Sequence, residues 1–148
     1  MHLEPFSSAK LKGTVMQLVR DFYIYGTNFL ALGAGITTTN VIAIQADADF
    51  EIQKLTFASD LNGAAQTDST RTVPKCSLII LDTGSGRQLM NQAIDLTTFF
   101  GNGANPFILP LPKTFRANTA LSVALTNYSA AEIYNVRLSL IGAKVFRG

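Results

Sequence analysis

Apolar and polar residues alternate over most of the chain beyond residue 20, which is the pattern of β-strands that bury one face. The alternation is most regular near the C-terminus, in residues 121–126 and again in residues 134–140. The polar residues 127–129 separate these runs and are typical of a short turn. The pattern therefore predicts a hairpin of two long strands.

The first half of the chain contains two more segments whose pattern predicts strands in some detail. A β-branched run places Asn40, Ile42 and Ile44 on one face of a strand. In residues 50–57 the apolar positions change phase, from even numbers to odd ones. One extra residue near Gln53-Lys54 would restore the register, so we expect a β-bulge or bend there.

Loops and an edge strand account for several of the remaining segments. The small polar residues 59–72 predict a long exposed loop, and the glycine-rich residues 99–106 predict another. Pro106, Pro110 and Pro112 alternate with apolar residues. Because proline cannot donate to a strand ladder, this spacing favours an edge strand or an extended segment.

The elements together predict an all-β fold. About eight strands are separated by turn signals, and helix-like spacing occurs only in residues 1–20. This pattern is typical of an antiparallel β-sandwich of jelly-roll type. We expect residues 1–20 to be an N-terminal arm, which either packs on its own domain or reaches a neighbouring subunit. Residues 21–148 are expected to form a single sandwich domain.

Composition points to a partner protein. Of the 148 residues, 47% are hydrophobic and 15% are charged, whereas globular chains carry roughly 25% charged residues. Such a chain is expected to hide apolar surface against another subunit. The net charge of +2 comes from scattered basic residues, which argues against nucleic-acid binding. No apolar stretch approaches the ~20 residues of a membrane-spanning helix, and residues 1–5 lack signal-peptide features.

One motif suggests catalysis. Asp82-Thr83-Gly84-Ser85 follows an apolar strand, as in aspartic proteases, where two facing aspartates share a proton. With one copy, this chain would have to act as a dimer, as retroviral proteases do. The same residues are also ordinary turn chemistry. The only histidine is His2, and Asp47, Asp49 and Glu51 lack the remaining ligands of a calcium loop. We expect no enzymatic activity, no metal and no cofactor.

Several segments, taken in order and spacing, resemble capsid cement or decoration proteins from the structural gene clusters of tailed phages. They are residues 46–50, Asp82-Thr83-Gly84-Ser85-Gly86 with residues 87–90, Pro106 to Pro112, 115–119, 121–127 and 136–146. The resemblance implies a jelly-roll virion protein on the outside of an icosahedral head built from an HK97-type major capsid protein. It further implies a homo-oligomer, dimer or trimer, that is made in the host cytoplasm and has no catalytic residues.

Apolar residues in the arm and loops are candidate interface anchors. They are Phe6, Leu11, Val15 and Leu18 in the arm, and Phe99, Phe100 and Phe107 in the loops. The alternative, that the three loop phenylalanines simply fill the open end of the sandwich, is favoured over the interface role. Two other functions remain open: a carbohydrate-binding or fibre or tail module of jelly-roll type, and the dimeric aspartic protease that would use Asp82.

Overall fold

A computed structural model describes residues 18–63 and 70–147. This part of the chain forms nine strands and one helical turn. The strands are β1 (Leu18–Leu32), β2 (Thr37–Ala43), β3 (Asp49–Leu61), β4 (Cys76–Asp82), β5 (Arg87–Gln88), β6 (Ile94–Asp95), β7 (Phe107–Phe115), β8 (Ala120–Asn127) and β9 (Tyr134–Arg147), and the helical turn is α1 (Leu96–Phe99). Within these residues, no helix is long and apolar enough to cross a bilayer.

The strands form two antiparallel sheets. The first sheet has the order β1-β9-β3-β7, and the second has the order β2-β8-β4-β5, with β6 also paired to β4. The long strands therefore alternate between the sheets as the chain proceeds. This order is that of a jelly roll, in which two Greek keys face each other. The predicted antiparallel β-sandwich of jelly-roll type is confirmed.

The core lies between the sheets and follows from the alternation in the sequence. In β4 and β8, every second side chain is buried and the others are half-buried. The predicted face of β2 is also confirmed, because Ile42 and Ile44 are buried and Asn40 is half-buried. Each large apolar side chain buried in this way stabilises the fold by about 1.5–3 kcal/mol relative to exposure.

The predicted bulge is present in β3. The register of β3 shifts between Ile52 and Lys54 against both β9 and β7. The shift keeps apolar residues facing the core on both sides of it, since Ile52 and Leu55 are both buried. The change of phase in the sequence was therefore a correct signal of a bulge.

The predicted C-terminal hairpin is wrong. β8 lies in the second sheet between β2 and β4, whereas β9 lies in the first sheet between β1 and β3. The buried side-chain amide of Asn127 stabilises the crossing, because it donates to the carbonyl oxygens of Leu32 at 3.0 Å and Glu132 at 2.7 Å. Alternation shows which face of a strand is buried. It does not show which sheet the strand joins, because both sheets bury one face in the same core.

Two predicted boundaries also change, and one element was not predicted. β1 begins at Leu18, so residues 18–20 belong to the first sheet rather than to an arm. β3 continues to Leu61, beyond the predicted start of the loop at residue 59. The short helix α1 begins after Asp95, whose side chain accepts a hydrogen bond from the Thr97 N–H at 3.0 Å.

Candidate interaction surfaces

The Asp82 motif forms a closed turn at the end of β4. One carboxylate oxygen of Asp82 accepts the Gly84 N–H, and the other accepts the Ser85 hydroxyl, both at 3.0 Å. The main-chain oxygen of Asp82 accepts the N–H of Gly86, whose φ is +72°. These contacts are those of a capped turn, and the remaining polar side chain of the motif, that of Thr83, donates to the Ala120 carbonyl oxygen at 2.8 Å.

A cavity of about 310 Å³ lies beside this turn. We call it the basic cavity, because its lining includes Arg87, Lys113 and Arg116. Arg87 belongs to the second sheet and Lys113 to the first, so the basic cavity lies where the sheets meet at one end of the sandwich. The sequence did not predict this cavity because Arg87 is distant in the chain from Lys113 and Arg116.

Two of the predicted anchors line a second cavity. Phe99 and Phe107 border an apolar pocket of about 350 Å³, which we call the β7 pocket. Its lining is completed by Leu55, Leu89, Met90, Leu109, Pro110, Leu111 and Lys113. Phe100 is 3% exposed and belongs to the core, where its ring meets that of Phe99 edge to face at 5.0 Å. Phe100 thus fills the sandwich and is not a surface anchor.

The predicted arm residues have different outcomes. Phe6, Leu11 and Val15 lie outside the described residues. Leu18 is 47% exposed at the start of β1.

An exposed apolar surface lies on the outer face of β1. Phe22 is 74% exposed and Ile24 is 45% exposed. Ile24 pairs directly with Ile141 of β9, which is half-buried on the same outer face. We call Leu18, Phe22 and Ile24, together with Ile141 and Val145, the β1 face.

The sequence contained a signal for the β1 face that was not used. Residues 22–25 are all apolar or aromatic, so they do not alternate. Tyr25 is buried and Tyr23 is half-buried on the inner face, which leaves Phe22 and Ile24 outside. This continuous run therefore leaves apolar side chains on the outer face of β1 as well as on its inner face.

β1 is also an edge strand, and the two edges of the first sheet differ. The other edge, β7, contains Pro110 and Pro112, as the sequence predicted. β1 contains no proline, and near its middle the Asn40 amide donates to the Asn28 carbonyl oxygen at 2.8 Å. Residues 18–26 of β1 therefore form a long, proline-free edge beside the β1 face.

The pKa values of three groups near β6 are shifted by burial, hydrogen bonding or a nearby charge. The Tyr128 hydroxyl donates to the Asp95 carboxylate and so joins the β8–β9 connection to β6. Burial acts to raise the pKa of Asp95, but hydrogen bonds from Tyr128 and Thr97 outweigh it and lower that pKa. The same bond, with burial, raises the pKa of Tyr128 to about 12. Burial, with a smaller contribution from the Asp95 charge, raises the pKa of the Cys76 thiol to about 12.

Comparisons with known proteins add little to this geometry. No family model and no curated protein matches the sequence. Among solved structures, the chain is similar to the VP2 subviral particle of infectious bursal disease virus, with a TM-score of 0.26 and 11% identity. The match covers 89% of this chain and 37% of the VP2 chain, so this chain spans little more than a third of that protein's length. A likeness at this TM-score carries no argument about function.

Proposed function

We propose that the protein is a non-enzymatic capsid cement or decoration protein, which binds the outer surface of an icosahedral phage head and stabilises the shell. The observation that carries this proposal is the β1 face, where the exposed apolar residues Phe22 and Ile24 are those expected of a subunit that works inside a larger assembly. A contiguous apolar surface on a small domain is typical of a protein interface. Its partner in the shell would be a major capsid protein of HK97 type, and the protein would be made in the host cytoplasm.

The β1 face and the adjoining edge are assigned to a second copy of this chain. Two β1 edges placed antiparallel would pair their free backbone groups and extend the sheet across both subunits. The same arrangement brings the two β1 faces side by side, so that each covers part of the other. Arg20 and Glu51, whose ion pair spans 3.5 Å on this side of the sheet, would border the contact with polar groups.

Co-sedimentation with expanded head shells that lack the protein tests the proposed function. We expect saturable binding, and shells that survive a higher temperature once the protein is bound. Shells that already carry a full complement of the protein are the control and should take up no more. Absence of binding to the bare shells would contradict a cement role and leave a jelly-roll module of another kind, such as a glycan-binding one.

A further inference from the structure

The unpaired positive charge of the described residues is concentrated at the basic cavity. Arg87, Lys113 and Arg116 form no ion pair with any carboxylate in the described part of the chain. Other cations do have such partners, namely Arg20, Arg71, Arg137 and Lys144. Among the described side chains, the remaining unpaired cations are Lys54 and Lys75, which line neither the basic cavity nor the β7 pocket.

Asp82 does not neutralise this charge. It is the acidic residue of the cavity lining, but both of its oxygens accept hydrogen bonds within the turn and it is buried. Three positive charges therefore face the cavity against one negative charge. Each additional anion brought there gains charge-assisted hydrogen bonds and relieves the mutual repulsion of the cations.

The backbone that carries the cations is fixed by the fold before any ligand arrives. Arg87 pairs with Asp82 of β4, and Lys113 pairs with Ile52 of β3. A Cβ added to Gly84 would lie 2.8 Å from the Thr119 Cγ2 atom, so the turn packs tightly on the loop after Arg116. A site with a fixed backbone loses little conformational entropy when it binds.

The basic cavity continues into the β7 pocket. Lys113 lines both, and Leu111, which is 80% exposed, lies at the rim of the pocket. From Leu109 to Lys113, β7 extends by about 13 Å, at ~3.3 Å per residue. A segment of about five extended residues would therefore span both cavities. Pro110 and Pro112 have no N–H, so the occupant would be held by its side chains rather than by strand pairing.

We propose that the basic cavity and the β7 pocket together form a docking groove for an extended protein segment that carries acidic side chains beside an apolar one. A nucleic-acid strand fits less well, because it needs a longer basic track and exposed aromatic faces for stacking. Here Phe99 packs against Phe100, and only three cations are available. That the partner is a segment of the capsid protein rests on the proposed function. The chemistry of the groove is argued from its own residues and is independent of the proposed function.

A matched pair of double variants tests the groove on head shells. Lys113→Glu with Arg116→Glu changes the groove, and Lys54→Glu with Lys75→Glu changes the net charge by the same amount outside it. We expect the first pair to weaken shell binding at least about tenfold, and the second to change it less than about twofold. Thermal unfolding should confirm that both variants remain folded. Equal binding by the two variants would overturn the proposal.

A second measurement separates the groove from the cement role, since it uses no shells. The probe is a synthetic peptide of one phenylalanine followed by three glutamates, titrated into the intact protein and followed by NMR. Saturable binding at millimolar peptide that shifts the Arg87 and Leu111 resonances supports the groove. Two controls must accompany this result. Binding must be lost when glutamines replace the glutamates of the peptide, and also when the protein carries Lys113→Glu with Arg116→Glu. No binding by the glutamate peptide overturns the proposed groove.

A single-stranded oligonucleotide of equal charge is the competing probe. If the oligonucleotide binds the groove more tightly than the peptide, the assignment to a protein segment is overturned. If wild-type protein binds the peptide but not the shells, the proposed function fails and the groove stands.

Discussion

Gly142 in β9 lies against the main-chain carbonyl of Glu51 in β3, so closely that a Cβ at position 142 would be 1.9 Å from that oxygen. The approach occurs beside the bulge of β3, where Gly142 pairs with Ile52. The bulge draws the backbone of β3 towards β9 at this point. A glycine is therefore required by the same irregularity that keeps the apolar residues of β3 facing the core.

Replacement of this glycine should be severely destabilising. We expect Gly142→Ala to reduce the free energy of unfolding by about 3 kcal/mol or more, because the main chain of β3 must move to admit the methyl group. Urea unfolding measures the change. Gly103→Ala is the matched control, since a Cβ there has no atom within 4 Å, and it should cost less than about 0.5 kcal/mol. Equal stability of the two variants would disprove the close approach.

The Cys76 thiol should be inert in the folded protein. Burial raises the pKa of the thiol to about 12, so the reactive thiolate is scarce at neutral pH. We expect iodoacetamide to leave native protein unmodified at pH 8 and to alkylate Cys76 fully in urea, as measured by mass spectrometry. Native protein that reacts as fast as unfolded protein would contradict the buried position.

The hydrogen bond between Tyr128 and Asp95 should make the free energy of unfolding depend on pH. The pKa of Asp95 is lower in the folded protein than its ordinary value of 3.8. The stabilisation is therefore present above that value and is lost as the pH falls through the folded pKa. Tyr128→Phe should flatten this acid dependence, as measured by thermal melts between neutral pH and pH 3. Its cost at neutral pH should be below about 1 kcal/mol. An unchanged acid profile would count against the bond.

The β1 face should control self-association. We expect the wild-type protein to self-associate and the variant with Phe22→Lys and Ile24→Lys to be monomeric, because lysines on an edge strand oppose pairing with a second copy. Val41→Lys, an equally exposed apolar position on the outer face of the second sheet, is the control. Sedimentation velocity reports the state of each variant. A wild-type protein that is monomeric at high concentration, or a double variant that still associates, would rule out the assignment of this edge to a second copy.

The sequence predicted local features of the fold well and contacts between distant segments poorly. The face of β2 and the bulge of β3 follow from the order of side chains within one strand, so periodicity detected them. The sheet that β8 joins depends on contacts with distant segments, such as the hydrogen bond from Asn127 to the Leu32 carbonyl oxygen, and no local pattern indicates these contacts.

Some residues of the candidate surfaces were predicted and others were not, because contacts between distant segments decide which side chains lie at a surface. Phe99 and Phe107 were identified because they are aromatic residues in a glycine-rich loop. Phe100 is their neighbour in sequence, yet it points into the core, and composition could not distinguish the three. Arg87 and Arg116 come together only because β5 begins and β7 ends at the same end of the sandwich.

The contrast between the two edges of the first sheet limits how far this protein can assemble by strand pairing. Because prolines interrupt β7, β1 is the edge of the first sheet that can add a strand, and an antiparallel contact between two copies would use the β1 edge of both. Growth of the first sheet would then stop at a closed pair instead of running on into a filament. In the proposed cement role, this limit on the first sheet would keep the protein in discrete pairs rather than fibres before it met a shell.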